Sequence, residues 1–296
     1  MKKTLFKGAG VALVTPMKQD GSVDYETLSS LIEMQISGGT DAIIACGTTA
    51  ESASMSYDER MQVIEFIVKA VDHRIPVIAG TGTNETHAAV KMSQAAQDMG
   101  AYGLLVVTPY YNKTSQHGLV KHYFHIADQV DIPIITYNVP SRTGLNISAE
   151  AYAEICRHDN IVGTKEASGN ISAVAKIRQV CGDNFDIYSG NDDQIVPIIS
   201  LGGKGVISVL SNVLPKQTHD IVMACLNGDF KTGSELQIKY LDLINALFCD
   251  VNPIPVKQAM CLMGIPVGEC RLPLCNMLPD KIEMMKNILT KHGLIK

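Results

Sequence analysis

The sequence contains no tryptophan, and its aromatic residues amount to only 5%. No apolar run approaches the roughly 20 residues that a membrane-spanning helix requires. The lysines near the N-terminus resemble the start of a signal peptide, but Lys7 and two glycines interrupt the apolar stretch that follows. We therefore expect a soluble, cytoplasmic protein with no membrane contact.

The eight cysteines include no Cys-x-x-Cys pair, and the nearest two, Cys270 and Cys275, are separated by four residues. This spacing favours neither a disulfide framework nor a zinc site, and it indicates a reducing compartment. The eight histidines form no His-x-x-x-His pair, and His117 and His122 are interpreted as surface residues of a helix. We expect neither a metal nor a cofactor.

The chain has 296 residues, enough for two average domains or for one α/β barrel. Hydrophobic residues make up 46% and charged residues 19%, which excludes a mostly disordered chain. With 25 Lys and Arg against 30 Asp and Glu, the formal net charge is −5. A nucleic-acid-binding function is not expected of such a chain.

Short apolar, β-branched runs recur along most of the chain, and their number, about eight, is typical of a closed parallel barrel. Helical periodicity fills the segments between them. The predicted strands are Val11–Val14, Ala42–Ala45, Pro76–Ala79, Gly103–Val107, Pro133–Tyr137, Ile161–Thr164, Asp186–Tyr188 and Gly205–Val209. The predicted helices include Tyr25–Ile36, Tyr57–Val71, Glu85–Met99, Gln116–Val130 and Ala149–Arg157.

Strand patterns end near Pro215, and helical patterns continue to the C-terminus. The predicted fold is an α/β protein, a (β/α)8 TIM barrel over residues 1–224 with an all-helical C-terminal extension over residues 225–296. Helix starts are expected after Ser56, in a capping box with Glu59, and after Ser148. An open doubly wound sheet is the second possibility, although Gly80-Thr81-Gly82 matches the dinucleotide-binding signature only weakly.

Active sites of such barrels form at the carboxyl ends of the strands, so the polar residues there are the candidates. Lys165 follows the sixth strand, and Glu166 should face the other side of that strand. Apolar surroundings remove hydration from an ammonium and favour the free amine, which can attack a carbonyl carbon. A lysine that extends into solvent is the ordinary alternative for such a position.

The neighbouring strand ends support the reactive interpretation of the lysine. Tyr137 closes the fifth strand, where a phenol can transfer protons, although many such tyrosines are core residues. Thr48 and Thr49 lie in a turn that can seat a small carboxylate or can simply cap a helix. Arg142 offers a planar fork for a second carboxylate, or is a solvated surface arginine. Together these residues indicate imine chemistry on keto acids.

Phosphate substrates are less expected. Phosphate-binding barrels use the loops after strands 7 and 8, but Asp192 and Asp193 follow the predicted seventh strand and would repel phosphate. A metal-dependent or phosphate-dependent barrel stays open as a weaker alternative.

Five motifs in chain order resemble the 4-hydroxy-tetrahydrodipicolinate synthase family, also called dihydrodipicolinate synthases. The resemblance extends over essentially the whole chain. The motifs are Gly47-Thr48-Thr49-x-Glu51-Ser52, Thr108-Pro109-Tyr110-Tyr111-Asn112, Tyr137-Asn138-Val139-Pro140-Ser141-Arg142-Thr143-Gly144, Gly163-x-Lys165-Glu166-Ala167 and Ser189-Gly190. The related N-acetylneuraminate lyases share the lysine and the tyrosine, whereas Arg142 indicates a synthase.

The resemblance implies a lyase of lysine and diaminopimelate synthesis that condenses pyruvate with aspartate semialdehyde through an imine on Lys165. It implies a proton relay of Tyr137, Thr48 and Tyr111, the last supplied by a neighbouring subunit of a dimer, with dimers pairing into a homotetramer. Thr48 and Thr49 would seat the pyruvate carboxylate and Arg142 that of the second substrate. Gly190 and Ile207 would line the pocket through their backbones.

Two departures from the family pattern carry expectations. Ala50 stands where the family usually has glycine, so an ordinary backbone conformation is expected there. Lysine-inhibited members bind lysine with histidines and an acid at the positions of Tyr57, Arg60 and Ala88. A cation at Arg60 and a missing carboxylate at Ala88 predict weak or absent inhibition by lysine, although Ser52, Asn84 and Tyr110 match.

Two other functions remain open from the sequence. A sister pyruvate aldolase would release pyruvate from sialic acid or a sugar acid. A non-catalytic barrel that binds a keto acid would do so without turnover.

Overall fold

A computed structural model describes residues 2–296. Eight parallel strands form a closed barrel in chain order, with β8 pairing to β1. The strands are β1 (Gly8–Ala12), β2 (Ala42–Ala45), β3 (Val77–Gly80), β4 (Gly103–Val107), β5 (Ile134–Asn138), β6 (Ile161–Glu166), β7 (Asp186–Ser189) and β8 (Gly205–Ser208). This closed barrel confirms the predicted fold class and excludes the open doubly wound sheet.

Helices surround the barrel and continue beyond it. They are α1 (Tyr25–Ser37), α2 (Tyr57–Val71), α3 (Thr86–Asp98), α4 (Gln116–Ala127), α5 (Pro140–Thr143), α6 (Ala149–Ile155), α7 (Ile171–Cys181), α8 (Ile195–Ser200), α9 (Pro215–Leu226), α10 (Phe230–Lys239), α11 (Leu241–Ala246), α12 (Ile254–Leu262) and α13 (Pro279–Lys291). None of the helices formed by residues 2–296 is long and apolar enough to cross a membrane.

The predicted helix starts are confirmed at their caps. The Ser56 hydroxyl accepts a hydrogen bond from the Glu59 backbone N–H, and Ser148 caps α6 in the same way. The Glu59 carboxylate also forms an ion pair with Arg271 of the C-terminal extension. The sequence pattern identifies the cap but not this long-range partner.

The prediction for the first strand was wrong, since β1 begins at Gly8 rather than Val11. Gly8 pairs with Gly205 of β8, and a Cβ on Gly205 would lie only 1.9 Å from the Gly8 carbonyl oxygen. The strands approach too closely there for a side chain, so glycine replaces the β-branched residues that signal a strand.

The strands of the active-site region extend further toward their carboxyl ends than predicted. β5 ends at Asn138 and β6 at Glu166, so Tyr137 and Lys165 lie within paired strands. The barrel interior is filled by apolar side chains that include Ile44, Ile135 and Ile207. Near the amino ends of the strands, Phe6 stacks on Tyr188 with 4.4 Å between the ring centres. Side chains therefore fill the barrel interior from the amino ends of the strands up to the rim formed by their carboxyl ends.

The prediction that His122 is a surface residue was wrong. Only 6% of the residue is exposed, and its Nδ1 lies 2.9 Å from the Thr86 hydroxyl oxygen. Burial, and to a smaller extent the nearby His125, lower the pKa of His122 to about 4. The ring is therefore neutral at physiological pH.

The C-terminal extension is helical, and within residues 2–296 the strands end before Pro215, as predicted. Helix α9 packs on β1 and β8, and the expected boundary at residue 224 falls in its last turn. The segment from Asn252 to Arg271 returns to the barrel rim, where Lys257 and Arg271 contact Glu51. The extension thus contributes contacts at the end of the barrel where the candidate site lies.

Candidate active site

Lys165 and Tyr137 are directly paired across β5 and β6. The Lys165 Nζ lies 4.5 Å from the centre of the Tyr137 ring, and the two residues are 6% and 7% exposed. Lys165 forms no ion pair with any residue in the described range 2–296. Its amine also has no hydrogen-bond partner in that range, and the parallel register places it beside the ring of Tyr137.

Gly190 lies against the lysine side chain, in the turn after β7. A Cβ at this position would lie 2.6 Å from the Ala167 Cβ and 3.1 Å from the Lys165 Cε. The Gly190 N–H donates a hydrogen bond to the Glu166 carbonyl oxygen at 2.7 Å. Glycine therefore leaves the space that the lysine chain occupies.

Glu166 points away from Lys165, as the alternation of side chains along a strand predicts. Its carboxylate accepts hydrogen bonds from the Asn138 side chain at 2.9 Å and from the Ser168 backbone N–H at 2.7 Å. Tyr152 also donates to this carboxylate, at 3.4 Å. The Glu166 carboxylate is thus hydrogen-bonded on the opposite face of β6 from Lys165.

Asp192 is a second buried acid near the lysine. Its Oδ2 accepts hydrogen bonds from the backbone N–H groups of Val209 and Leu210, at 3.0 and 2.9 Å. Burial raises the pKa of Asp192, while its hydrogen bonds and the charge of Lys165 oppose that shift. This carboxyl group holds the chain at the end of β8.

Thr48 and Thr49 occupy a short 3-10 helix, Thr48–Ala50, that follows β2. Ala50 has no positive φ, as expected, and the left-handed conformation falls on Glu51, with φ 59°. Thr49 is 3% exposed, whereas Thr48 is only half-buried and lines the same small cavity as Tyr137. The turn therefore brings Thr48 to a cavity that Tyr137 also lines.

Arg142 lies in the short helix α5, which the sequence analysis did not predict. It lines a cavity of about 230 Å³ together with Thr48 and Tyr110. Its Nη2 donates a hydrogen bond to the Asn252 carbonyl oxygen at 3.1 Å. The remaining donors of the guanidinium have no hydrogen-bond partner in residues 2–296, so they are free to bind a carboxylate.

Two predicted residues lie apart from this group. Tyr111 is 92% exposed, has φ 68°, and lines neither cavity of the site. Ile207 is fully buried in the barrel interior, next to the residues that carry the site. Within one chain, Lys165 lies against Tyr137 and Gly190. Tyr137 and Arg142 line two cavities that share Thr48, Thr49 lies next to Thr48 in the same turn, and Tyr111 lies outside these contacts.

Arg60 approaches the site more closely than its sequence position indicates. It lines both cavities, and its Nη2 donates a hydrogen bond to the Gly80 carbonyl oxygen at 2.5 Å. No carboxylate in the described part of the chain pairs with it, and burial lowers its pKa. The sequence analysis treated Arg60 only as a regulatory position.

Three further residues, which were not predicted from the sequence, support the threonine turn. Asn252 donates a hydrogen bond from Nδ2 to the Thr49 hydroxyl oxygen at 2.9 Å. Lys257 forms an ion pair with Glu51 at 2.8 Å, and the Arg271 N–H donates to the other Glu51 oxygen at 2.7 Å. The only sequence signals were the breaks in the helical pattern near Asn252-Pro253 and Arg271-Leu272-Pro273, and such breaks do not identify contacts across more than 200 residues.

The fold is that of a (β/α)8-barrel enzyme with a buried lysine at the carboxyl ends of its strands. Residues 5–292 match the Dihydrodipicolinate synthetase family, and the chain belongs to that family. It is 55% identical over 293 residues to the 4-hydroxy-tetrahydrodipicolinate synthase of Thermoanaerobacter pseudethanolicus, covering 99% of this chain and 98% of that protein. It is 51% identical over 290 residues to the Clostridium novyi synthase, covering 98% of each.

Solved structures show the same likeness. The dihydrodipicolinate synthase of Aquifex aeolicus superposes with a TM-score of 0.96 at 45% identity, covering 98% of this chain and 99% of that one. The enzyme of Thermotoga maritima superposes with a TM-score of 0.96 at 41% identity, covering 99% and 100%.

Proposed function

We propose that the protein is a 4-hydroxy-tetrahydrodipicolinate synthase, a lyase of lysine and diaminopimelate synthesis that condenses pyruvate with L-aspartate 4-semialdehyde. The observation that carries the proposal is the buried Lys165 amine beside the Tyr137 phenol, with no carboxylate paired to it in residues 2–296. The membership of the family and the identities above 50% to proteins named as this synthase support the same reaction.

Lys165 would attack the carbonyl carbon of pyruvate, and loss of water from the carbinolamine would give an imine. Loss of a methyl proton would convert the imine to an enamine, whose carbon attacks the aldehyde of the second substrate. The amino group of that substrate would then displace Lys165 from the imine carbon and close the ring. Tyr137 and Thr48, which line one cavity, would move the protons of these steps.

The two substrates carry one carboxylate each, and the rim offers two seats for them. Thr48 and Thr49 would form the first seat, and Arg142, which lines the larger cavity together with Thr48, would form the second. Gly190 would line the pyruvate pocket, and Ile207 would do so through its backbone. An arginine placed for a second carboxylate supports the semialdehyde as partner rather than an uncharged sugar aldehyde.

The proton relay requires a further tyrosine, and we propose that Tyr111 enters the site of a partner chain in a homodimer. Its exposure of 92% and its positive φ fit a side chain that is held outward to contact another molecule. Pairing of two dimers into a tetramer, and a cytoplasmic location with the substrates, complete the proposal.

A steady-state assay tests the reaction. Purified protein should consume pyruvate only in the presence of aspartate semialdehyde, and Arg142→Ala should raise the KM for the semialdehyde with a smaller effect on pyruvate. Release of pyruvate from sialic acid or a sugar acid without turnover of the semialdehyde would assign a sister aldolase instead. Pyruvate binding without any turnover would indicate a keto-acid-binding barrel.

A further inference from the structure

Asn252 belongs to the C-terminal extension but lies at the rim of the barrel. It is located between α11 and α12 and is 6% exposed. It contacts both proposed carboxylate seats, one through its side chain and the other through its backbone. No other residue of the extension has hydrogen bonds to both seats in the described part of the chain.

The side chain of Asn252 acts on Thr49. Its amide Nδ2 is a donor, so the Thr49 hydroxyl oxygen is the acceptor of this 2.9 Å hydrogen bond. The Thr49 hydroxyl therefore does not donate its proton to Asn252. Within residues 2–296 this proton has no acceptor. A hydroxyl whose oxygen is held in this way can direct its proton to a carboxylate.

The backbone of Asn252 acts on Arg142. The Asn252 carbonyl oxygen accepts from Nη2 at 3.1 Å, which fixes one arm of an otherwise exposed guanidinium. Holding one arm of the planar group restricts its rotation while leaving Nε and Nη1 for a ligand. One residue of the extension thus orients a donor in each seat.

We infer that Asn252 is a positioning residue that sets the hydroxyl proton of Thr49 toward the pyruvate carboxylate and holds Arg142 toward the second carboxylate. This inference rests on the proposed function. Because the two actions come from different parts of the residue, replacement of the side chain should affect pyruvate much more than the aldehyde.

The substitution Asn252→Asp tests the direction of the hydrogen bond. Aspartate has nearly the same shape but only accepts hydrogen bonds when ionised, so it would take the Thr49 proton away from the substrate and add a negative charge. We expect the pyruvate KM to rise about tenfold or more, the effect of losing one hydrogen bond to a charged group. Asn252→Ala should have a smaller effect, because the hydroxyl remains free to turn toward pyruvate.

Packing alone predicts the opposite order, since Asp fills the space of Asn and Ala does not. A pyruvate KM for Asn252→Asp that equals the wild-type value, or lies closer to it than that of Asn252→Ala, would overturn the inference. In a Thr49→Val background the Asp substitution should add less than in the wild type, because the hydroxyl on which it acts is absent and only the effect of its charge remains. A full additional effect in that background would also overturn it.

The control is Asn245→Asp, the same change at an exposed position of α11, which should leave both KM values unchanged. Pyruvate binding is also measured by the concentration that gives half-maximal borohydride trapping. That readout needs no aldehyde, so the role of Asn252 is tested even if the wild-type protein fails to turn over the semialdehyde. Failure of turnover overturns the proposed function, whereas wild-type trapping by Asn252→Asp overturns only the role of Asn252.

Discussion

Lys257 and Glu51 form an ion pair inside the protein, with 2.8 Å between Nζ and Oε1 and side-chain exposures of 2% and 0%. Glu51 follows the threonine turn in a left-handed conformation, and Lys257 also donates to the Glu269 carbonyl oxygen at 2.8 Å. The pair therefore joins the C-terminal extension to the turn that carries Thr48 and Thr49.

Breaking this pair should strongly destabilise the protein. Lys257→Met leaves the buried Glu51 charge without a cation, and we expect a loss of about 3 to 5 kcal/mol in the free energy of unfolding. The double variant Glu51→Gln with Lys257→Met should recover most of that loss, because no uncompensated charge remains. Urea denaturation at one protein concentration measures the free energy of unfolding of the single and the double variant. Equal destabilisation by the single and double variants would contradict this account.

His122 should make the stability of the protein depend on pH. Burial lowers the pKa of the folded-state ring to about 4, below its ordinary value of 6.5, so the unfolded chain binds the proton more readily. The stabilisation is complete above pH 6.5 and declines as the pH falls toward 4. At pH 5 we expect a loss of about 2 kcal/mol relative to pH 7.5.

The matched variant for this prediction is His122→Gln, a neutral replacement. The difference in unfolding free energy between wild type and variant should shrink between pH 7.5 and pH 5, since only the wild type loses the His122 contribution. Glu85 and His125 are the titratable groups whose charges act on the ring, and both remain in the variant. A difference that does not change with pH would exclude the assigned cause.

A mixture of two inactive variants should regain activity if Tyr111 acts in the partner's site. Tyr111→Phe lacks the relay hydroxyl and Lys165→Ala lacks the nucleophile, and each is expected to be nearly inactive. In a mixed dimer, the site on the Lys165→Ala chain lacks both the amine and the Tyr111 hydroxyl. The site on the Tyr111→Phe chain has both groups. Random association then restores about a quarter of the wild-type activity, measured after co-expression or refolding together. No recovery in verified mixed dimers would place Tyr111 outside the partner's site.

Lysine should inhibit the protein weakly or not at all. Arg60 places a cation beside Tyr110, Ala88 supplies no carboxylate, and the Lys91 Nζ lies 4.4 Å from the centre of the Tyr57 ring. A cation at Arg60 and the missing side-chain carboxylate at Ala88 disfavour a cationic amino acid. Steady-state rates with added lysine measure this, and strong inhibition at sub-millimolar lysine would refute it.

The barrel and the residues that end its strands were predictable because parallel strands bring their carboxyl ends to one rim. Lys165, Tyr137 and the Thr48-Thr49 turn follow from that rule and from local sequence. Asn252 and Lys257 do not, since their contacts with Thr49 and Glu51 cross 203 and 206 residues and depend on how the extension packs. Gly8 was missed for another reason, because a close approach of two strands requires a residue that gives no strand signal.

The most direct test of the account is reduction with borohydride in the presence of pyruvate, followed by peptide mass analysis. An imine between pyruvate and a lysine becomes a stable amine, so the modified peptide identifies the nucleophile. We predict an adduct on the peptide that contains Lys165, its loss in Lys165→Ala and its retention in Arg142→Ala. An adduct on another lysine, or turnover by Lys165→Ala without any adduct, would contradict the central claim that Lys165 is the covalent nucleophile.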